Sequence, residues 1–197
     1  MYVRIPDPPK TLSAEEQSRL LEVVAHQGSR RDLALFTLAL GTGLRLREIV
    51  GLNVGDVTTK SGEVAWRVDL PKGITKGRRG GTAFLSERVR AVLGDFLASK
   101  RVCEEPMTRK APLFRSSMGR RLCLRQLQRL FSSWQEVAGF ERPYNFHTLR
   151  HTAITNVYRA TKDLFLTQRF ARHANPITTV AYTHPSDEEL YSAIAGI

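Results

Sequence analysis

Gly41-Thr42-Gly43-Leu44-Arg45-Leu46-Arg47-Glu48-Ile49-Val50-Gly51-Leu52 is the stretch on which the reading of this chain turns. Its first glycines stop a buried helix that runs from about Arg31 to Leu40, and a short helix follows from Arg45 to about Gly51. Upstream, Ser13 with Glu16 three residues on forms a capping-box signature, so a helix starts near Ala14, carries Leu20, Leu21, Val23 and Val24, and ends near Gly28. Before it, Pro6-Asp7-Pro8-Pro9 is too proline-rich for helix and reads as an extended leader.

Downstream the period changes. Val64, Trp66 and Val68 alternate with Ala65, Arg67 and Asp69, and a second short strand from Thr82 to Leu85 follows the Gly- and Arg-rich segment Gly73 to Gly81. This predicts a β-hairpin with a long basic tip. Helical spacing resumes at Glu87 to Arg101, and the segments Leu122 to Val137, His147 to Arg159, Leu164 to Arg172, Ile177 to Thr183 and Asp187 to Ile194 continue it. The fold class is α+β, mainly α, with one small antiparallel sheet between helical groups. Residues 1–12 form a leader or linker, 13–185 one domain, and 186–197 a tail helix.

The chain has 197 residues, and 30 Lys+Arg against 19 Asp+Glu give a net charge of +11, which calls for a polyanionic partner. The 42% hydrophobic content supplies a real core and excludes disorder as the main state. Two cysteines, Cys103 and Cys123, and an N-terminus without a signal-like apolar run exclude a disulfide scaffold and predict a cytoplasmic protein. The apolar stretch Leu33 to Leu44 falls short of the roughly 18 residues a membrane span needs. No C-x-x-C or H-E-x-x-H spacing occurs, so no metal site is expected.

Chemistry concentrates near the C-terminus. His147-Thr148-Leu149-Arg150-His151 puts His147 and Arg150 on one face of a helix's first turn, where both can donate to a single phosphate beside the positive end of the helix dipole. His173 follows, and Tyr182 lies nine residues beyond it. Singly, each of these residues is as well read as a packed or solvated side chain. Their order is what discriminates: the Gly41–Leu52 stretch, a hairpin with Lys76, the His147/Arg150 box, His173, then Thr178-Thr179-Val180-Ala181-Tyr182-Thr183-His184.

This ordered set resembles the catalytic domain of the tyrosine recombinase (phage integrase) family. The resemblance implies that Arg45, Lys76, His147, Arg150 and His173 are catalytic, with Tyr182 the nucleophile and Glu48 in support. Guanidiniums, fork-shaped and always charged, suit the nonbridging oxygens of a phosphodiester in transfer. Tyr182 would form a 3′-phosphotyrosyl bond, Lys76 would protonate the leaving 5′-oxygen, and His147 would help take the tyrosine proton. Lys72 is the alternative hairpin lysine. Neither metal, ATP nor any other cofactor is implied.

The implied partner is a double-stranded DNA recombination site, bound by a homotetramer with accessory proteins and without a membrane. Between residues 101 and 150 ten Lys+Arg face four Asp+Glu, and Arg115, Arg120, Arg121, Arg125, Gln128 and Arg129 are the expected DNA contacts. The family's usual N-terminal clamp domain has no counterpart in these residues. Ala171-Arg172-His173 departs from the common L-G-H, with a bulky cation where a glycine is usual, which either weakens the turn or adds a phosphate contact. Two other functions remain open at this stage: a non-catalytic DNA-binding regulator of the same fold, and a type IB topoisomerase.

Overall fold

In the computed structural model, which describes residues 7–75, 80–183, 191 and 194–195, local capping sets most helix boundaries. Helix α1 (Ala14–Gln27) opens on the expected reciprocal cap: Ser13 Oγ accepts from the Glu16 amide at 3.1 Å and Glu16 Oε2 accepts from the Ser13 amide at 2.8 Å. Helix α2 (Arg30–Thr42) is capped by Ser29 and ends at Gly43, whose left-handed backbone (φ 57°) is open to glycine without a Cβ penalty.

Residues 34–39 of α2 are all buried, so this helix is apolar all round and forms the centre of the molecule. It packs against α1, α5 (Glu87–Val102) and α7 (His147–Thr161). Phe36 meets Phe131 of α6 (Leu124–Val137) at 5.9 Å between ring centroids, and Phe146 lies 6.4 Å from Phe36 and 5.7 Å from Phe131. This aromatic triangle fixes the start of α7, immediately after Phe146, against the core. Leu12, at the end of the expected leader, is also buried, and its amide donates to Thr152 Oγ1 on α7 at 2.9 Å.

After α3 (Leu46–Gly51) comes α4 (Val54–Val57), a single turn absent from the sequence reading. Strands β1 (Arg67–Leu70) and β2 (Gly81–Phe84) pair antiparallel from Arg67↔Phe84 to Leu70↔Gly81. The first strand starts later than its alternation predicted. Val64 bridges to Thr58 and the Ala65 amide donates to the Val57 carbonyl, which holds this stretch to the exit of α4 and breaks the alternation. Trp66 is consequently 62% exposed and stacks on Phe84 at 5.8 Å, while Val68, Leu70 and Ala83 face the core.

Helices α8 (Leu164–Ala171) and α9 (Ile177–Val180) complete the described chain; α9 is shorter than expected, and Tyr182 lies just beyond it. Ile154, Ala171, Ala181 and Tyr182 form a small second apolar cluster, with Phe170 packed on it. Lys76 and most of the predicted tail helix lie outside the described residues. Among those described, no helix is long and apolar enough to cross a membrane.

Candidate active site

The α2–α3 turn builds one wall of the site. Glu48, at the third position of α3, reaches back to accept from the Arg45 amide at 2.8 Å and from Arg45 Nη1 at 3.0 Å. It is only 1% exposed, and a carboxylate so buried persists only if cations surround it. The second cation is Arg172, whose Nη2 lies 3.0 Å from Glu48 Oε2.

Arg150 forms the floor. It sits one turn into α7, is 3% exposed, and donates from its two terminal nitrogens to the carbonyls of Gly43 and Ala171. Both carbonyls belong to helix C-termini, of α2 and α8, where the helix dipole favours a cation. A guanidinium can bridge two such points in one plane; an ammonium cannot.

The nucleophile candidate completes the site from the C-terminal side. Tyr182 is buried, and its hydroxyl is hydrogen-bonded to Nδ1 of His151 at 2.6 Å. His173 Nδ1 meets Thr179 Oγ1 at 2.9 Å, and its ring lies 5.8 Å from that of Tyr182. His147 stands edge-on to His151 at 4.5 Å.

Electrostatically the site is overcharged. Burial, and then the neighbouring charges of Arg45 and Arg172, pull Arg150 down to about 9, still protonated at neutral pH. Burial also lowers Arg172, opposed by Glu48. Such crowding of guanidiniums is relieved by an anion placed among them. Burial and the arginines hold His173 down to about 4; burial, His147 and Arg150 do the same for His151. His147 is lowered as well, by burial of its ring first and then by Arg150 and Arg45, although its outer edge stays in solvent. Burial raises Tyr182, against the pull of Arg150 and Arg45, so the phenol is protonated at neutral pH beside a neutral imidazole.

The two strongly lowered histidines set a pH dependence of stability. Their folded values lie below the ordinary 6.5, so the unfolded chain binds more protons between pH 6.5 and 4. Their stabilising contribution is complete above about pH 6.5 and is lost as the pH falls toward 4. After allowance for partial exposure, each loss is on the order of 1–2 kcal/mol. Urea midpoints measured from pH 7.5 to 4.5 should fall, and replacing His151 and His173 by Asn should flatten the profile; an unchanged slope would refute this assignment.

Of the residues predicted to act together, Arg45, Glu48, His147, Arg150, His173 and Tyr182 converge here. Lys76 lies outside the described residues, and Lys72 is exposed at the base of the hairpin tip. Two further members emerge: His151, next to the box, and Arg172, the departure from the usual glycine.

The expected DNA-contact set divides. Arg120, Arg121, Arg125, Gln128 and Arg129 are exposed. Arg115 donates to the Gly119 carbonyl at 2.7 Å and pairs with Glu105 at 3.3 Å. Arg121 donates to the carbonyls of Val50 and Leu52 at 2.8 and 2.9 Å, and to Asn53 Oδ1 at 2.6 Å. These two side chains therefore hold the molecule together, Arg121 by tying the start of α6 to the end of α3.

A fold with this order of elements, and a buried tyrosine beside a guanidinium cluster, defines a class: residues 10–189 match the phage integrase family, and the chain belongs to it. Among its relatives is tyrosine recombinase XerC of Caldanaerobacter subterraneus subsp. tengcongensis, 32% identical over 188 residues that cover 94% of this chain and 50% of the relative. XerC of Escherichia coli O6:K15:H31 is 31% identical, covering 93% of this chain and 59% of the relative. The chain thus spans about half the length of the curated relatives it matches. The crystal structure of XerA recombinase superposes with a TM-score of 0.78 at 26% identity, over 99% of this chain and 66% of that one. The catalytic domain of bacteriophage HP1 integrase shares the fold, with a TM-score of 0.63 at 17% identity over 94% of this chain and 93% of that one.

Proposed function

We propose that this chain is the catalytic part of a tyrosine site-specific recombinase that cuts and rejoins duplex DNA through a 3′-phosphotyrosyl link at Tyr182. The observation that carries the reading is the buried Tyr182 hydroxyl, hydrogen-bonded to a neutral imidazole and held within electrostatic reach of Arg45 and Arg150. A DNA-binding regulator needs the charge but has no use for that hydroxyl.

The scissile phosphate binds between Arg45 and Arg150, whose remaining N–H groups offset the charge that grows on its nonbridging oxygens. Tyr182 Oη attacks phosphorus as its proton passes to Nδ1 of His151, which holds the hydroxyl at 2.6 Å and takes the role expected of His147. The P–O5′ bond breaks, and the leaving oxygen takes a proton from Lys76 on the hairpin. An incoming 5′-hydroxyl then reverses these steps and frees Tyr182. One ester is exchanged for another of similar energy, so the cycle runs without ATP, and the arginines supply the charge a metal would otherwise bring. The chain acts in the cytoplasm as a homotetramer on paired recombination sites, with accessory proteins selecting the pairing.

The test is a nicked suicide duplex, chosen from a random pool by the protein's own binding and incubated in EDTA without nucleotide. The expected product is a covalent protein–DNA adduct on a denaturing gel, with the modified peptide containing Tyr182. Failure to form an adduct on bound, nicked DNA at low salt, where phosphate contacts are strongest, would overturn the reading.

A further inference from the structure

Arg172 occupies a position that should not hold an arginine. It follows the last residue of α8 with φ 56°, the left-handed region where a side chain is disfavoured and glycine is at ease. Its guanidinium folds inward to a side-chain exposure of 10%, and its Nε is buried without a hydrogen-bond partner among the described residues. Both features cost stability, so they persist because something else uses them.

The partners show what that is. Nη2 of Arg172 pairs with Glu48 at 3.0 Å and reaches the Gly43 carbonyl at 3.3 Å, and Nη1 donates to the Phe170 carbonyl at 3.3 Å. The stem passes over Gly81, the first residue of β2, where a Cβ would lie 3.0 Å from Arg172 Cδ. Arg172 therefore shares Glu48 with Arg45 and shares the Gly43 carbonyl with Arg150. One side chain touches the turn that carries Arg45, the turn that carries His173, and the base of the hairpin.

We propose that Arg172 is a positioning residue for strand cleavage: it takes up one oxygen of Glu48, so that Arg45 engages the carboxylate through one terminal nitrogen and keeps the rest of its fork for the phosphate. This rests on the recombinase reading above. With Arg172 the cluster of Arg45, Arg150, Arg172 and Glu48 carries three positive charges against one negative. If Arg172 of this chain is replaced by glycine, Glu48 keeps Arg45 as its single ion-pair partner among the described residues, and a two-pronged Arg45–Glu48 pair would compete with the phosphate for the same donors.

Arg172→Gly relieves the backbone and removes the guanidinium, which separates positioning from folding. On the suicide duplex at saturating protein, the single-turnover cleavage rate should fall 10- to 100-fold while DNA affinity changes less than threefold and the thermal midpoint shifts little, because relief of the left-handed backbone offsets the lost Glu48 pair. Arg172→Lys, which retains a cation for Glu48, should recover part of the rate. Wild-type cleavage by Arg172→Gly, or equal losses of rate, affinity and thermal midpoint, would overturn the proposal. A second readout needs no cleavage: in urea denaturation the Glu48→Gln and Arg172→Gly effects should be non-additive, and additivity would refute the brace even if the wild-type protein cuts no DNA. Absence of any wild-type adduct would instead refute the recombinase reading, leaving this cycle to decide on Arg172.

Discussion

Tyr182→Phe is expected to bind the nicked duplex as tightly as the wild-type protein and to yield no covalent adduct. The change removes one oxygen from a side chain in the apolar cluster of Ile154, Ala171 and Ala181, so the ring keeps its packing. The partner left behind, Nδ1 of His151, belongs to a half-buried ring that water can approach, so the stability cost is about 1 kcal/mol or less. The proposed phosphate donors, Arg45 and Arg150, are untouched, which is why binding should survive. Chemistry is different, because the phenolic oxygen is the atom that would become bonded to phosphorus. Gel shift and denaturing gel on the same samples check both halves, and an adduct that persists in Tyr182→Phe would move the nucleophile elsewhere in the chain.

The contrast between what is local and what is distant explains which parts of this molecule could be read from its sequence. Helices α1 and α2 begin and end close to expectation because their caps lie within a few residues: Ser13 with Glu16, Ser29 with Asp32, and the left-handed Gly43. Helix α4 is four residues long, too short for any periodicity. It is held instead by backbone bonds from Val54 to the Ala111 carbonyl and from Gly55 to the Arg109 carbonyl, partners more than fifty residues away. The start of β1 differs from its expected place for the same reason, since the bonds that shift it come from Val57 and Thr58.

The site divides along the same line. The types and order of Arg45, Glu48, His147, Arg150, His173 and Tyr182 stand in the sequence, and folding brings them together. Nothing local announces that Glu48 meets Arg172 across 124 positions, or that His151 meets Tyr182 across 31. For Arg172 the signal was the anomaly itself, a cation where a turn calls for glycine. For Arg115 and Arg121 the basic cluster that marks them as expected DNA contacts does not reveal that carbonyls and Glu105 also engage them.

Arg150 tests whether the guanidinium cluster does what its charge implies. In Arg150→Ala the Ala171 carbonyl loses its buried donor and the Gly43 carbonyl keeps only the longer bond from Arg172, a cost of about 1–3 kcal/mol, and the ends of α2 and α8 lose the pin between them. Cleavage suffers more. Removing one preorganised donor from a developing oxyanion costs on the order of 10² to 10³ in rate, and Arg150 also fixes the Gly43 turn from which Arg45 projects. The expected loss in single-turnover cleavage is therefore at least about 10³. Arg150→Lys separates the two contributions: an ammonium restores charge in the same place but cannot span both carbonyls while donating to a phosphate. It should recover much of the stability and DNA affinity, yet cleave on the order of 10² more slowly than the wild-type protein. Denaturation, gel shift and suicide-substrate kinetics on the two variants measure these losses separately. If Arg150→Lys cleaves at the wild-type rate, the fork is dispensable and the phosphate is held by charge alone; if both variants lose cleavage only in proportion to binding, Arg150 acts on the ground state and not on the transition state.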